Sequence, residues 1–171
     1  HYTRLPSIEK DNRMEEVIIR NVVVKEIRDL QIWFLEKDIG LELMNLDVIV
    51  VTDQKWFAFI LRQIFTTAVK YSRAHLEVCL SVELDIEGHV LLHVKDEGIG
   101  IRSEDLQRIF QKTYTGTAGR ESAASSGMGL YLAKNAEEQL GIQILVDSND
   151  KGTRFTLKFP IENEYVRTVG R

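Results

Sequence analysis

The sequence predicts an α/β fold, a two-layer sandwich in which a mixed, mostly antiparallel sheet is covered by helices on one face. Apolar residues recur at helical spacing in residues 22–35, 55–71 and 130–140, and elsewhere they alternate in paired runs joined by turn residues. Strands joined as hairpins are antiparallel, and helices between such pairs bury the apolar face of the sheet. With 171 residues, 44% of them hydrophobic, the chain is long enough to form one compact domain.

The two longer helices have recognisable ends. The first, over residues 22–35, is followed by Asp38 and Gly40, which favour its termination. Asp53 is placed to cap the N-terminus of the second, over residues 55–71. The second helix is amphipathic, because its large apolar residues recur three and four positions apart.

Two shorter helices are predicted further along the chain. Ser103 is expected to cap a short helix that has Asp105 in its first turn. Residues 130–140 are again helical, and Gly141 is expected to end them in the left-handed conformation. Both helices follow loops rich in glycine or polar residues.

The strands are predicted in three pairs. Turn residues between alternating apolar runs are the signature of a hairpin. The expected pairs are residues 76–85 with 90–96 around Glu87-Gly88-His89, residues 142–146 with 153–159 around 149–152, and two short strands within 41–52 broken near 45–47.

Composition excludes several classes of function. The net charge of −4 provides no broad basic surface, which argues against direct nucleic-acid binding. Cys79 is the single cysteine and lies in an apolar run, so we expect a packed thiol in a reducing compartment. No apolar run reaches the ~20 residues that span a bilayer. We therefore expect a soluble chain, whole or cut from something larger.

The first candidate site surrounds Asp96, which ends a predicted strand and precedes Gly98, Gly100 and Ile101. A carboxylate there can accept a hydrogen bond from an exocyclic amine, while the glycines let a flat base approach the backbone. Thr153, on the last strand beside Asp96, can complete base recognition directly or through a water. The alternative is an ordinary Asp-x-Gly turn, because isolated Gly-x-Gly motifs are weak signals.

A second candidate cluster, Gly127-Met128-Gly129-Leu130, opens a predicted helix. Glycine there lets phosphate oxygens reach backbone N–H groups at the positive end of the helix dipole. Met128 and Leu130 are packing residues under either interpretation. The alternative is a flexible loop that meets a helix.

The remaining candidates flank these clusters. Lys70, near the end of the second helix, can meet a phosphate, and Tyr71 can lie along a base or ribose; alternatively Lys70 is a solvated cation at the helix end. Residues 111–126 form a long connection with little apolar spacing, typical of a functional or mobile segment. Arg120 in this segment can reach a terminal phosphate on closure, or remain a surface arginine.

In this order and spacing, the clusters resemble the catalytic ATP-binding domain of sensor histidine kinases, in the superfamily shared with gyrase, Hsp90 and MutL. The match covers nearly the whole chain. Residues 62–72 resemble the N box, 96–101 the G1 box, 108–110 the F box, 127–130 the G2 box, and 152–160 the closing Gly-Thr strand. Finer details, including Thr115-Gly116, Gly119-Arg120 and residues 53–56 and 127–134, are similar to the bacitracin-sensing intramembrane kinases of Gram-positive bacteria.

The resemblance implies how the chain is organised. Residues 1–13 resemble the end of a dimerisation helix and its linker, 14–165 the ATP-binding catalytic domain, and 166–171 a C-terminal tail. ATP would lie between the second helix and a lid formed by residues 111–126. The γ-phosphoryl would pass to a histidine on the dimerisation domain and then to a response regulator. The residues His1-Tyr2-Thr3-Arg4 do not match the motif that surrounds this acceptor histidine.

The resemblance also assigns the site residues. ATP binding would involve Thr67, Lys70, Tyr71, Asp96, Gly98, Gly100, Ile101, Gly116, Arg120, Gly127, Met128, Gly129, Leu130 and Thr153. Thr67 stands where the family usually has a magnesium-binding Asn, and its hydroxyl is a poorer neutral ligand for Mg²⁺. The implied partners are the dimerisation domain, a response regulator and, through the full-length protein, an ABC transporter. The implied location is the cytoplasmic side of a membrane-anchored sensor.

Two alternative functions follow from residues of the second predicted helix. Thr67 in place of Asn raises the hypothesis of a degenerate domain that binds nucleotide or none, has impaired magnesium binding, and acts as a structural signalling module. A hydrolase of the gyrase kind would need a general base one helical turn earlier, where this chain has Gln63. An amide accepts no proton at neutral pH, which argues against the hydrolase.

Overall fold

A computed structural model describes residues 13–71, 75, 77–111 and 129–161. These residues form seven strands and six helices. The predictions for residues 1–12, for 112–128 and for the C-terminal tail lie outside the described residues. The elements are β1 (Met14–Ile18), α1 (Ile19–Asp29), α2 (Gln31–Glu36), β2 (Gly40–Met44), β3 (Ile49–Asp53), α3 (Gln54–Tyr71), β4 (Glu77–Leu84), β5 (Val90–Asp96), α4 (Ser103–Leu106), α5 (Gly129–Asn135), α6 (Glu137–Leu140), β6 (Gln143–Asn149) and β7 (Gly152–Lys158).

The main sheet has five strands in the order β2-β4-β5-β7-β6. Only β2 and β4 are parallel; the other neighbours are antiparallel, which confirms the mixed, mostly antiparallel sheet. On β4, Val78, Leu80 and Val82 are buried while Cys79 and Ser81 between them are half-buried. The helices therefore cover one face, and α3 packs its buried Ile60 and Ile64 into this core.

Both long hairpins are confirmed. β4 pairs with β5 so that Val78 lies opposite Asp96, and β6 pairs with β7 so that Ser148 lies opposite Thr153. β5 and β7 are neighbours as well, and their register sets Asp96 opposite Thr153. The centre of the sheet thus brings two predicted site residues together.

The predicted pairing of two strands within residues 41–52 is wrong. β2 pairs with β4, whereas β3 pairs with β1 in a separate two-stranded sheet. The connection between β2 and β3 is held by α1 instead, because Ile19 N donates to Val48 O at 2.9 Å and Arg20 N donates to Leu46 O at 3.0 Å. Leu46 is fully buried, so the break near residues 45–47 is part of the core rather than a hairpin turn.

The helices differ from the predictions mainly at their ends. Residues 22–35 form two helices, since the chain breaks at Leu30 and the first helix begins at Ile19. The second predicted helix is confirmed, and Trp56 N donates to the Asp53 carboxylate at 3.0 Å as an N-cap bond. Ser103 is not a cap: it is the first residue of α4, and Arg102 precedes it without a side-chain cap bond.

The last predicted helix is divided as well. Residues 130–140 form α5 and α6, and Gly141 ends α6 with a φ of 70°, as expected. The Cys79 thiol is less buried than predicted, since it lies on the side of β4 away from the core, and partial burial raises its pKa. Among the described helices, none is both long and apolar enough to cross a bilayer.

Candidate nucleotide-binding site

Asp96 lies at the end of central strand β5 and is 1% exposed. Its Oδ1 accepts hydrogen bonds from the backbone N–H of Gly98 at 2.8 Å and of Thr153 at 3.3 Å. Within the described parts of the chain, no group donates to its buried Oδ2. A buried polar atom without a partner is costly in a folded protein, so Oδ2 is suited to a donor supplied by a ligand.

Burial raises the pKa of the Asp96 carboxyl, and the bonds from Gly98 and Thr153 oppose this effect. The folded state therefore binds the Asp96 proton more tightly than the unfolded chain does. Stability contributed by this group is present below the unfolded pKa of about 3.9 and is lost as pH rises through the raised folded value. The ionised carboxylate that can accept a ligand hydrogen bond is thus maintained at the expense of stability.

This linkage predicts a pH-dependent effect of Asp96→Asn on the folded state. Relative to the unsubstituted chain, the variant should gain free energy of unfolding near pH 8, and the gain should shrink as pH falls toward about 4. Urea unfolding followed by circular dichroism at several pH values measures the difference. An equal effect of the substitution at every pH would contradict the linkage.

Two glycines let the backbone segments around Asp96 approach one another. Gly100 has a φ of +80°, and a Cβ there would lie 2.0 Å from Asn149 O. Gly152 has a φ of +143°, and a Cβ there would lie 2.0 Å from Asp96 O. Both positions combine a left-handed backbone with close packing, so side chains are excluded at each. The floor of this site is therefore made largely of backbone.

Ile101 follows this loop and is buried, and its N–H donates to Ser148 Oγ at 2.8 Å. Ser148 Oγ lies 2.7 Å from Thr153 Oγ1 and 3.3 Å from Gly152 O. Ser148 was missed in the sequence analysis. The hairpin register around residues 149–152 was the available signal, because it sets Ser148 directly opposite Thr153.

Thr67 lies near the C-terminal end of α3 and is 7% exposed. Its hydroxyl donates to Gln63 O at 2.8 Å, a bond one helical turn back. Thr66 donates to the same carbonyl at 3.0 Å. Because the proton of Thr67 is used within the helix, its oxygen lone pairs are available to a cation or donor.

Lys70 is half-buried about one turn beyond Thr67 and two turns beyond Gln63. Burial lowers the pKa of Lys70, and the negative charge of Asp105 on α4 partly opposes that shift. Lys37 donates from Nζ to Val69 O, which ties down the end of α3. The Lys70 ammonium is therefore partly desolvated, and a nearby anion would stabilise its charged form.

Gly129 begins α5 against the side chain of Gln63. A Cβ at Gly129 would lie 1.7 Å from Gln63 Oε1, so the two helices approach closely at this point. Leu130, the next residue, is half-buried and packs against the core. The N-terminus of α5 therefore meets α3 beside the turn that carries Thr67.

The predicted site residues fall into two groups. Asp96, Gly98, Gly100, Ile101 and Thr153 form one connected cluster at the end of β5. Thr67, Lys70, Gly129 and Leu130 lie on α3 and α5. Gly116, Arg120, Gly127 and Met128 lie outside the described residues, as does the side chain of Tyr71.

Comparison with known proteins identifies the family of this chain. Residues 52–163 match the family of histidine kinase-, DNA gyrase B- and HSP90-like ATPases. The chain belongs to this family. The match includes α3 and both clusters, so the domain is an ATP-binding domain of the histidine kinase type.

Relatives of this ATPase domain are sensor proteins. The chain is 43% identical over 171 residues to sensor protein BceS of Halalkalibacterium halodurans, covering 99% of the chain and 51% of BceS. Identity to sensor protein kinase GraS of Staphylococcus aureus is 43% over 171 residues, covering 99% of the chain and 49% of GraS. The chain thus spans about half the length of these curated relatives.

The fold of the ATPase domain also matches solved histidine kinases. The structure of histidine kinase ThkA in complex with response regulator protein TrrA superimposes with a TM-score of 0.71 at 18% identity, covering 90% of this chain and 43% of that one. The hypothesis of a degenerate structural module, based on Thr67, gains no support from these comparisons, because the relatives are named as sensor proteins and kinases.

Proposed function

We propose that this ATPase domain is the kinase domain of a two-component sensor and donates the ATP γ-phosphoryl to a histidine on a dimerisation domain. The observation that carries the proposal is the buried Oδ2 of Asp96, which accepts no hydrogen bond from the described residues. The exocyclic amine of adenine is a donor of the right kind for this atom. An ionised carboxylate strengthens such a bond.

The base-binding end of the site is the region around Asp96, Gly100, Gly152 and Thr153, and its floor is made largely of backbone. Gly100 and Gly152 exclude side chains there, so a flat ring can lie against the main chain beside Asp96. Thr153 is 2% exposed and held next to Asp96 by its own N–H bond. Its hydroxyl is available for a second polar contact with the ring, directly or through a water.

The phosphate end is assigned to α3 and α5. Lys70 supplies a positive charge, and the backbone N–H groups at the start of α5 favour anions. The Thr67 hydroxyl and the Gln63 side-chain carbonyl lie beside these groups and are potential oxygen ligands for Mg²⁺. Mg²⁺ prefers oxygen ligands and usually keeps waters and phosphate oxygens among them. Bound there, Mg²⁺ would neutralise charge on the phosphates.

The residues of this domain position the reactants and do no covalent chemistry themselves. Asp96 and Thr153 fix the base, and Lys70 and the start of α5 hold the phosphates, so that the γ-phosphoryl is presented to the acceptor histidine. Holding reactants in one geometry and stabilising charge are the main contributions that proteins make to phosphoryl transfer. Arg120 and Gly116 of the lid, with Gly127 and Met128, are proposed to complete the phosphate contacts, and Tyr71 to flank the base or ribose.

The larger setting is proposed from the relatives. Residues 14–165 form the ATP-binding domain, 1–13 lead from the dimerisation helix, and 166–171 are a tail. The phosphoryl group would pass onward to a response regulator, and the full-length protein would work beside an ABC transporter. It would be anchored in the membrane with this domain in the cytoplasm.

Calorimetry and phosphotransfer together test this function. ATP is titrated into the 171-residue chain, and γ-labelled ATP is then supplied with a protein fragment that carries the dimerisation domain of a histidine kinase and its acceptor histidine. We expect Mg²⁺-dependent ATP binding and labelling of the fragment when the chain is present. Absence of ATP binding, or steady hydrolysis with no labelled acceptor, would overturn the proposal.

Thr67→Val is expected to weaken binding of ATP in the presence of Mg²⁺ by about five- to tenfold, the effect of losing one polar contact. Valine has nearly the shape of threonine but no oxygen, so binding without Mg²⁺ should change little. Thr66→Val is the matched control, because it removes the neighbouring hydroxyl bonded to the same Gln63 carbonyl. Equal losses with and without Mg²⁺ would show that Thr67 does not act through the ion.

A further inference from the structure

Ser148 makes hydrogen bonds to three backbone or side-chain groups of the base-binding end. It lies on β6, outside both predicted clusters, and connects the Gly100–Ile101 loop to β7. Ile101 N donates to its Oγ at 2.8 Å, and Thr153 Oγ1 lies 2.7 Å from the same atom. The carbonyl of Gly152 is a more distant partner, at 3.3 Å.

A serine hydroxyl has a single proton, so these contacts cannot all be donations from Ser148. The Ile101 N–H occupies one lone pair of Ser148 Oγ. If Ser148 donates to Gly152, then Thr153 must donate its own proton to Ser148. If Ser148 instead donates to Thr153 at 2.7 Å, the Thr153 proton is released for another acceptor.

The second arrangement suits adenine. Thr153 is held beside Asp96, because its N–H donates to Asp96 Oδ1 at 3.3 Å. An acceptor on Asp96 next to a donor on Thr153 complements an amine beside a ring nitrogen that accepts. Guanine presents a carbonyl beside a ring N–H, the reverse pattern, and would leave buried polar groups unpaired.

We infer that Ser148 is a positioning residue that sets base specificity: by donating to Thr153, it makes the Thr153 hydroxyl a donor toward the ring nitrogen of adenine. This inference rests on the proposed ATP-binding function of the same site. Ser148 itself touches the protein, and it acts on the nucleotide through Thr153 and through the loop that ends at Ile101.

The test compares ATP with 1-deaza-ATP, whose ring has a C–H in place of the accepting nitrogen, by calorimetry on the 171-residue chain. The unsubstituted chain should bind the analogue about five- to tenfold more weakly than ATP, the effect of one hydrogen bond. Ser148→Ala should weaken ATP binding by a similar factor. It should also reduce the ratio of the affinity for ATP to the affinity for the analogue toward one. Ser148→Thr keeps the hydroxyl and should retain most of that preference.

Two further variants separate this role from a general loosening of the loop. In a Thr153→Val background, Ser148→Ala should reduce ATP affinity much less, because the hydroxyl that Ser148 orients is absent. Ser81→Ala, at a half-buried serine on β4, is the matched control and should leave both affinities unchanged. Equal weakening of ATP and 1-deaza-ATP by Ser148→Ala, or the same cost in both backgrounds, would overturn the inference.

Comparison with Asp96→Asn distinguishes the two levels of failure. If the unsubstituted chain binds ATP, and Asp96→Asn abolishes that binding while Ser148→Ala leaves the preference intact, only the role of Ser148 is wrong. If the unsubstituted chain binds no ATP, both the proposed function and the inference fall. Should Ser148→Ala not fold, 1-deaza-ATP binding to the unsubstituted chain as tightly as ATP would still overturn the inference.

Discussion

Replacement of Asp96 by asparagine is expected to weaken ATP binding about 100-fold or more. Asparagine preserves the shape of the side chain, and its carbonyl oxygen can still accept from Gly98 and Thr153. Its NH₂ group would then replace Oδ2, so two donors would face each other where the adenine amine is proposed to bind. Loss of a charge-assisted bond, with a buried donor left unpaired, accounts for an effect of this size. Isothermal titration with ATP measures it.

Asp147→Asn is the matched control for this substitution. Asp147 is an exposed aspartate on β6, where neutralisation removes the same charge from the surface rather than from the buried site. We expect its ATP affinity to stay within about twofold, since exposed charges contribute little. If both variants lost affinity equally, net charge rather than base recognition would explain the result.

Gly152→Ala is expected to lower the free energy of unfolding by about 3 kcal/mol or more, and to abolish ATP binding in any fraction that folds. The added Cβ would lie 2.0 Å from Asp96 O and 3.0 Å from Glu97 Cα, and both atoms belong to the backbone. No side-chain rotation relieves such a contact, so β5 and β7 would have to separate. Urea unfolding monitored by tryptophan fluorescence gives the change.

Gly88→Ala separates backbone strain from the clash. Gly88 also has a positive φ, +97°, but the nearest atom to an added Cβ is the end of the Ile161 side chain, at 3.9 Å. Gly88→Ala should lower the free energy of unfolding only by the cost of placing alanine at a positive φ, about 1–2 kcal/mol. A similar loss at both positions would mean that the close approach at Gly152 contributes nothing.

Local signals in the sequence were sufficient for much of the fold. The turns at Gly88 and at residues 149–152 join strands that are adjacent in the chain, so alternation and turn chemistry together specified both hairpins. The parallel pairing of β2 with β4 and the pairing of β1 with β3 join distant segments. β1 also carries little pattern, because Val17 is its one buried residue. Nothing local distinguishes such pairings from a hairpin within residues 41–52.

The site divides in the same way. Asp96 with its glycines could be recognised, because a carboxylate followed by residues that tolerate positive φ forms a short, distinctive pattern. Ser148 has no such pattern; its importance comes from the partner set opposite it by the register of β6 and β7. The contact of Gln63 with Gly129 joins two helices across 66 positions of the sequence, and no local pattern predicts it either. The sequence therefore indicated the candidate base-binding residues more readily than the residues that hold them in place.

The direct pairing of β5 with β7 has a consequence for how this domain can vary. Asp96 and Thr153 are 57 residues apart in the chain, yet adjacent strands set their separation in space. The length of the chain between α4 and α5 can change without altering this register, and doubling the length of a flexible loop costs only about 0.6 kcal/mol of closure entropy. Insertions, deletions and sequence divergence between α4 and α5 can therefore accumulate while the strand register that sets Asp96 beside Thr153 is retained.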